Sequence, residues 1–512
     1  MQSLQKKAAQ VIFPRLGSNM PPPVRVREDF DRFCALQETY QFGGLVLFNG
    51  HKTHTPPLLK ALQEKSEVPL LVASDIERGA GQQIEGATLF PHAMACGQAG
   101  AEAVKHFARI TAEEALACGI HIAFTPVADV NSNPLNPIIG IRSFGDQTLA
   151  VNEHVKTFIA ACQAAGLLTT AKHFPGHGDT ATDSHKELPV VASDFDALSQ
   201  TELPPFTTAI ASGVDLIMTA HVSFPALDAS EKPATLSKTM LTDILRNQLG
   251  FEGAIISDSL IMKAIQPSHG SMAQYAADLL NAGLDILLDP IDPIAMHTGV
   301  VEAVEQGLLS ETRLDEAIEQ IHALRTKLTE RFGPSFFQNP AQNTTVGGNL
   351  NLSQAKEVAG KAIKVQKGSA VFCPGPQEAA HHLALYITPY RTRLDPTTTP
   401  VETALKEKYL GLNYVEVDAG TSDDEFKSIL EQAQQSEGVL ALVVSKPAAW
   451  HNYGLPDGLH QFVEQLTKLT PTTLVSLGDA HILKNYPSSV NQLCTFSDVP
   501  ASQEALVRLL DT

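Results

Sequence analysis

The stretch Lys172-His173-Phe174-Pro175-Gly176-His177-Gly178-Asp179-Thr180-Ala181-Thr182-Asp183-Ser184-His185 places three histidines, two aspartates and a lysine within fourteen residues. Histidine, with an ordinary pKa of about 6.5, can give and take a proton near neutral pH. An aspartate bonded to its other ring nitrogen fixes the tautomer and stabilises the imidazolium. In Asp183-Ser184-His185 the first and third side chains fall on one side of an extended backbone, a spacing compatible with such an acid/base pair. Gly176, Gly178 and Pro175 restrict or free the backbone at set points, so the stretch reads as a shaped loop. Taken alone, a solvated polar loop is the alternative. Zinc held by His173, His177, His185, Asp179 and Asp183 is a second alternative, disfavoured because no HExxH or CxxC spacing is present.

The elements that must position this loop follow one grammar. A helical segment ends at a glycine, and a short apolar run then ends in polar residues. Gly119 precedes Ile120-His121-Ile122-Ala123-Phe124, Gly166 precedes Leu167-Leu168, and Gly213 precedes Val214-Asp215-Leu216-Ile217-Met218. Gly250 stands before Ala254-Ile255-Ile256, and Gly283 before Leu284-Asp285-Ile286-Leu287-Leu288. Glycine just past a helix closes it, and near-continuous apolar runs suit strands buried on both faces. With Gln10–Phe13, Gly44–Phe48 and Leu70–Ala73 the count reaches eight strands before residue 290, which predicts a (β/α)8 TIM-like barrel. A doubly wound open sheet is the runner-up, because a count of strands does not prove closure.

Active sites on such barrels lie at the C-terminal strand ends. The polar residues there are Asp75 after strand three, Asp129 after strand four, Lys172 and His173 after strand five, His221 after strand six and Asp258 after strand seven. Arg142 lies in the long connection after strand four. Asp129 and His221 read as structural hydrogen bonders, and His177 as a residue that pins the loop.

A chain of 512 residues implies two or three domains. The barrel is expected over 1–335, a Gly, Pro, Asn and Thr-rich linker over 336–352, and a second α/β sandwich domain over 353–512. With 37 basic and 56 acidic residues the net charge is −19, which disfavours nucleic acid and anionic membranes as partners. The six cysteines form no CxxC pair and read as reduced core thiols. No apolar run approaches a membrane span or a signal peptide, so the cytoplasm is the expected compartment. Nothing in the sequence fixes the oligomeric state.

Lys172 to His185, continued by Lys186-Glu187-Leu188-Pro189, resembles the signature of glycoside hydrolase family 3 in its bacterial β-N-acetylglucosaminidase branch. The resemblance extends to Asn131–Asp146, Thr219-Ala220-His221 and Ile256-Ser257-Asp258-Ser259-Leu260-Ile261-Met262, and covers roughly the first 335 residues. It implies a retaining mechanism in which Asp258 is the nucleophile and Asp183 with His185 the acid/base dyad. It also implies that Asp75, Arg142, Lys172 and His173 bind the terminal sugar, with no cofactor and no metal. The implied substrate is a small N-acetylglucosaminide, derived from cell-wall fragments. Phosphorolysis on the same site and a non-catalytic sugar-binding descendant are the alternatives. One departure is plain: the arginine that the family carries five residues after the aspartate is replaced by Ala80.

Overall fold

The structure, a computed structural model, describes residues 3–180, 188–266, 270–339, 344–369, 372, 374, 378–390, 399–446 and 454–510. The chain divides into two compact units. The first comprises Met1–Leu89, Val104–Asn133 and Ser143–Leu352, and the second Phe90–Ala103, Pro134–Arg142 and Ser353–Thr512.

The first unit is built on short parallel strands: β1 (Ile12–Phe13), β2 (Arg15–Leu16), β3 (Gly44–Leu47), β4 (Leu71–Ser74), β5 (Ile122–Ala123), β6 (Leu168–Phe174), β7 (Leu216–Thr219), β8 (Ala254–Ile256) and β9 (Leu287–Leu288). β1 and β2 are two halves of one run, separated by Pro14, which has no N–H for the ladder. Parallel pairing runs β2–β3–β4–β5–β6–β7–β8. Ile256 then bridges to Ile286, and β9 pairs with β1 through Ile12 opposite Leu287. The ring therefore closes on itself with eight positions, which decides for the barrel over the open sheet. Every residue of β3, β4, β6, β7 and β8 is buried, as two covered faces require.

All five glycines expected to close helices have positive φ. Gly166 ends the helix Thr148–Ala165 in the left-handed region and donates to the carbonyls of Cys162 and Gln163. Strand ends differ from expectation in one place that matters. β6 continues through Phe174, so Lys172 and His173 lie within the strand rather than after it. Its partner β7 keeps pace with it, Phe174 standing opposite Thr219 across a register shift.

Residues 336–352, expected as a linker, carry structure where described. Phe336 and Phe337 are buried with their rings 5.6 and 5.0 Å from that of His121. The Gly347 N–H and Asn351 Nδ2 donate to Glu114 Oε1 at 2.9 and 2.7 Å. A helix, Asn349–Ala362, already begins inside this stretch.

The second unit holds a six-stranded sheet of β10 (Lys364–Lys367), β11 (His382–Ile387), β12 (Asn413–Val417), β13 (Gly438–Ser445), β14 (Thr472–Gly478) and β15 (Asn491–Cys494). Their order is β10-β15-β14-β13-β11-β12, parallel except for the β10 edge. Side chains alternate between two cores. Leu383, Leu385, Val439, Ala441 and Leu474 face one layer with Ile429 and Phe462, while Ala384, Leu440, Leu442 and Val475 face the other with Leu405 and Leu506. Met94, Ala95 and Ile141, from the two early segments, are buried in the first of these cores. The strand expected at 369–372 falls partly outside the described residues.

Candidate active site

The C-terminal end of β6 is the centre of the site. Lys172 is 2% exposed, and its Nζ donates to Asp75 Oδ1 at 2.7 Å and meets Glu77 Oε1 at 2.6 Å. Two carboxylates on one ammonium fix its direction and hold its charge in a buried setting. Asp75 itself stays partly open, with 34% of its side chain exposed.

His173, next along the strand, is oriented by Asp129. Its backbone N–H donates to both Asp129 oxygens, at 3.1 and 3.2 Å, and its Nδ1 lies 2.7 Å from Oδ2. An ionised carboxylate only accepts, so Nδ1 carries a proton. The N–H of His177 also donates to Asp129, at 2.7 Å. Burial pushes the Asp129 carboxyl up, but the charges and hydrogen bonds of His173 and His177 outweigh it and hold the group below its ordinary value. Asp129 is thus the structural hydrogen bonder expected of it, and the residue it orients is one of the candidate sugar-binding residues.

Asp258 stands two residues past β8. Its Oδ1 accepts from the Ser259 N–H at 2.7 Å, and its Oδ2 lies 4.0 Å from His173 Nε2. Burial raises this carboxyl, yet the charges of His173, His221 and Lys172 and the Ser259 amide together depress it. It is therefore an ionised carboxylate at neutral pH, and 21% of its side chain remains exposed. Behind it, Ser259 Oγ donates to Asp289 at 2.6 Å, and Arg15 Nε holds Asp289 at 2.6 Å. Such a group can attack an electron-poor carbon and leave again.

His221 binds Thr235 Oγ1 through Nδ1 at 2.7 Å and the Ser259 carbonyl through Nε2 at 3.1 Å, which steadies the segment carrying Asp258. His177 Nδ1 lies 2.8 Å from Thr180 Oγ1. His173 Nδ1 and His177 Nδ1 are thus engaged in hydrogen bonds rather than turned toward a shared ion.

Asp75, Lys172, His173 and Asp258 are all carried by the first unit. Arg142 belongs to a segment of the second, in a single turn Gly140–Arg142, where its guanidinium donates to the Ile138 carbonyl at 2.9 Å. Asp183 and His185 lie outside the described residues. Ala80, at the position of the family's arginine, is fully buried, and the nearby Arg78 N–H is held by Gln82 Oε1 at 2.9 Å. Glu77, Asp289 and Arg15 were not singled out from sequence. The strand-end rule reaches the last two, since Asp289 directly follows Leu287-Leu288 and Arg15 follows Ile12-Phe13-Pro14.

Fold and site together define a two-unit α/β protein whose closed barrel gathers ionised side chains at the C-terminal strand ends. Residues 4–324 match the glycosyl hydrolase family 3 N terminal domain, and the chain belongs to glycosyl hydrolase family 3. It is 34% identical over 368 residues to a beta-hexosaminidase A of Pseudoalteromonas piscicida, covering 65% of this chain and 60% of that protein. It is 30% identical over 357 residues to a beta-N-acetylglucosaminidase/beta-glucosidase of Cellulomonas fimi, covering 67% and 62%. The chain thus spans about three fifths of the length of these relatives. Among solved structures, a glycoside hydrolase family 3 beta-N-acetylglucosaminidase from Paenibacillus sp. str. FPU-7 superposes with a TM-score of 0.86 at 27% identity, over 100% of this chain and 97% of that one.

Proposed function

We propose that this chain is a retaining exo-β-N-acetylglucosaminidase that releases terminal N-acetylglucosamine from the non-reducing end of cell-wall (peptidoglycan) fragments. The observation that carries the reading is Asp258: a partly open, ionised carboxylate at a barrel strand end, opposite His173. Membership of family 3 supports it, as do the activities named for the relatives and the structural neighbour.

In this reading Asp258 attacks the anomeric carbon and forms a covalent glycosyl-enzyme, which water then opens. His185, oriented by Asp183, protonates the departing oxygen and later takes a proton from water. That assignment rests on the family resemblance of residues 172–185. Lys172 and Asp75 bind hydroxyl groups of the terminal sugar, for which charge-assisted hydrogen bonds are the strong choice. Arg142 and His173 complete the proposed sugar contacts. Turnover of an aryl N-acetyl-β-glucosaminide, with the β-anomer of the sugar as first product and little turnover of the β-glucoside, is the expected result. An α-anomeric first product or a preference for the glucoside would defeat the reading.

One feature of the sequence favours a second outcome on the same site. A carboxylate acid/base at 4 Å would repel phosphate by about 4 kcal/mol per unit charge at an effective dielectric of about 20. The neutral imidazole of His185 would not, so phosphate in place of water would give N-acetylglucosamine 1-phosphate. Product chromatography with and without millimolar phosphate separates the two, and free sugar alone at an unchanged rate eliminates phosphorolysis.

A further inference from the structure

Under the turn that follows β6 lies a carboxyl group that the mechanism above does not use. Glu202 immediately precedes the helix Leu203–Ala211 and is 3% exposed. Its Oε1 accepts from Ser132 Oγ at 3.1 Å, while its Oε2 is buried with no hydrogen-bond partner among the described residues. Gly176 rests directly on it: a methyl group added there would lie 2.6 Å from both Glu202 Cβ and Oε2.

Among the described residues, the charged groups facing Glu202 are themselves acidic. They are Asp129, at the end of the β5 connection, and Asp179, in the turn. The His173 Nδ1 and the backbone N–H of His177 are already bound to Asp129, and the His177 ring is bound to Thr180. No lysine or arginine pairs with Glu202 among the described residues. A carboxylate in this place would be buried beside two other acids with no cation to pair with, a costly state.

We propose that Glu202 is a positioning residue, which as an uncharged acid seats the Gly176–Thr180 turn against Val130–Asn133 and so keeps Asp129 and His173 aligned opposite Asp258. The role rests on the reading of Asp258 as the nucleophile. Burial pushes the Glu202 carboxyl up from 4.5 to about 8, the charges of Asp129 and Asp179 adding to it and the Ser132 hydroxyl and Val130 amide opposing. The group is therefore neutral in the folded protein at pH 7, where an unfolded chain would have it ionised.

Below pH 4.5 both states hold the proton. Between 4.5 and about 8 only the folded state does, so stability is lost as pH rises across that window. Glu202→Gln keeps the shape and removes the titration, whereas Glu202→Ala removes the seat.

The test uses the full chain in three forms: wild type, Glu202→Gln and Glu202→Ala. Thermal unfolding from pH 5 to 8 should show wild type falling relative to Glu202→Gln, the two converging on the acid side. Turnover of an aryl N-acetyl-β-glucosaminide should fall about tenfold or more in kcat for Glu202→Ala, with KM little changed, and be largely rescued in Glu202→Gln. Wild type should also lose kcat above about pH 8 by a step that Glu202→Gln lacks. Glu202→Gln as impaired as Glu202→Ala, or identical pH profiles of wild type and Glu202→Gln, would overturn the proposal. A wild-type protein without turnover on that sugar overturns the proposed function and the catalytic part of this role, and the unfolding curves then judge the uncharged seat alone.

Discussion

Asp258 and Asp129 are both depressed carboxyls, but for different ends. Asp258 is held ionised while open to the cleft, which suits chemistry, and Asp129 is sealed and spends its oxygens on three donors. Asp258→Ala should therefore remove turnover by about a hundredfold or more while leaving thermal unfolding near wild type. Retention of more than about a hundredth of the rate would show that the nucleophile lies elsewhere. Asp129→Asn should lower both turnover and stability, because the same carboxylate orients His173 and holds three donors. Its carboxyl lies below the ordinary 3.8 in the folded state, so it contributes stability above that value which is lost as pH falls through the depressed one. The variant should lose stability at neutral pH and show a flatter unfolding profile between pH 5 and 2. Equal profiles would mean that His173 and His177 do not hold Asp129 as its geometry indicates. At His185 the role implied by the resemblance makes its own demand. His185→Ala and Asp183→Ala should slow substrates with poor leaving groups far more than activated aryl substrates, and should not be additive, because the aspartate acts through the histidine.

Elements matter at the turn after β6. Its Gly178 passes so close to the connection after β5 that an added Cβ would lie 1.6 Å from the Val130 carbonyl oxygen. Gly178→Ala must push the two segments apart, at a cost of about 1–3 kcal/mol for overpacking of this kind. The same turn carries the His177 N–H that binds Asp129, so kcat should fall together with the unfolding temperature. Gly360 provides the control. It lies inside the helix Asn349–Ala362, where an added Cβ meets nothing within 4 Å, so Gly360→Ala should stabilise by about 0.5–1 kcal/mol. Similar effects from both substitutions would argue against the close approach at Val130.

On the scale of the whole molecule, the chain passes between the two units five times, at residues 89/90, 103/104, 133/134, 142/143 and 352/353. A boundary near residue 335 suggests that a fragment ending at about 340 folds alone. The segments 90–103 and 134–142 argue otherwise, because Met94, Ala95 and Ile141 are buried with Leu383, Leu385, Leu459 and Phe462 of the second unit. A fragment of residues 1–340 should therefore expose these apolar side chains and associate. Size-exclusion chromatography and near-ultraviolet circular dichroism test this, and a monomeric fragment with native aromatic signals would contradict it.

What the sequence by itself determined is what depends on neighbours along the chain. Glycine after a helix and an apolar run after glycine are local events, so all eight barrel strands and the placement of Asp75 and Asp258 just past their strands could be read directly, while Lys172 and His173 proved to lie within theirs. The second unit was legible as α/β for the same reason, although the edge strand β10, exposed at every residue but Lys364, gave no apolar signal. Tertiary structure alone decided closure of the ring, the pairing of Lys172 with Asp75 across 97 residues and of His173 with Asp129 across 44, and the membership of residues 90–103 and 134–142 in the second unit. The reason is physical. A carboxylate at a strand end is locally the same whether it faces water, substrate or another strand's histidine, and only the packing of distant segments chooses among these partners and, with them, the charge each group carries.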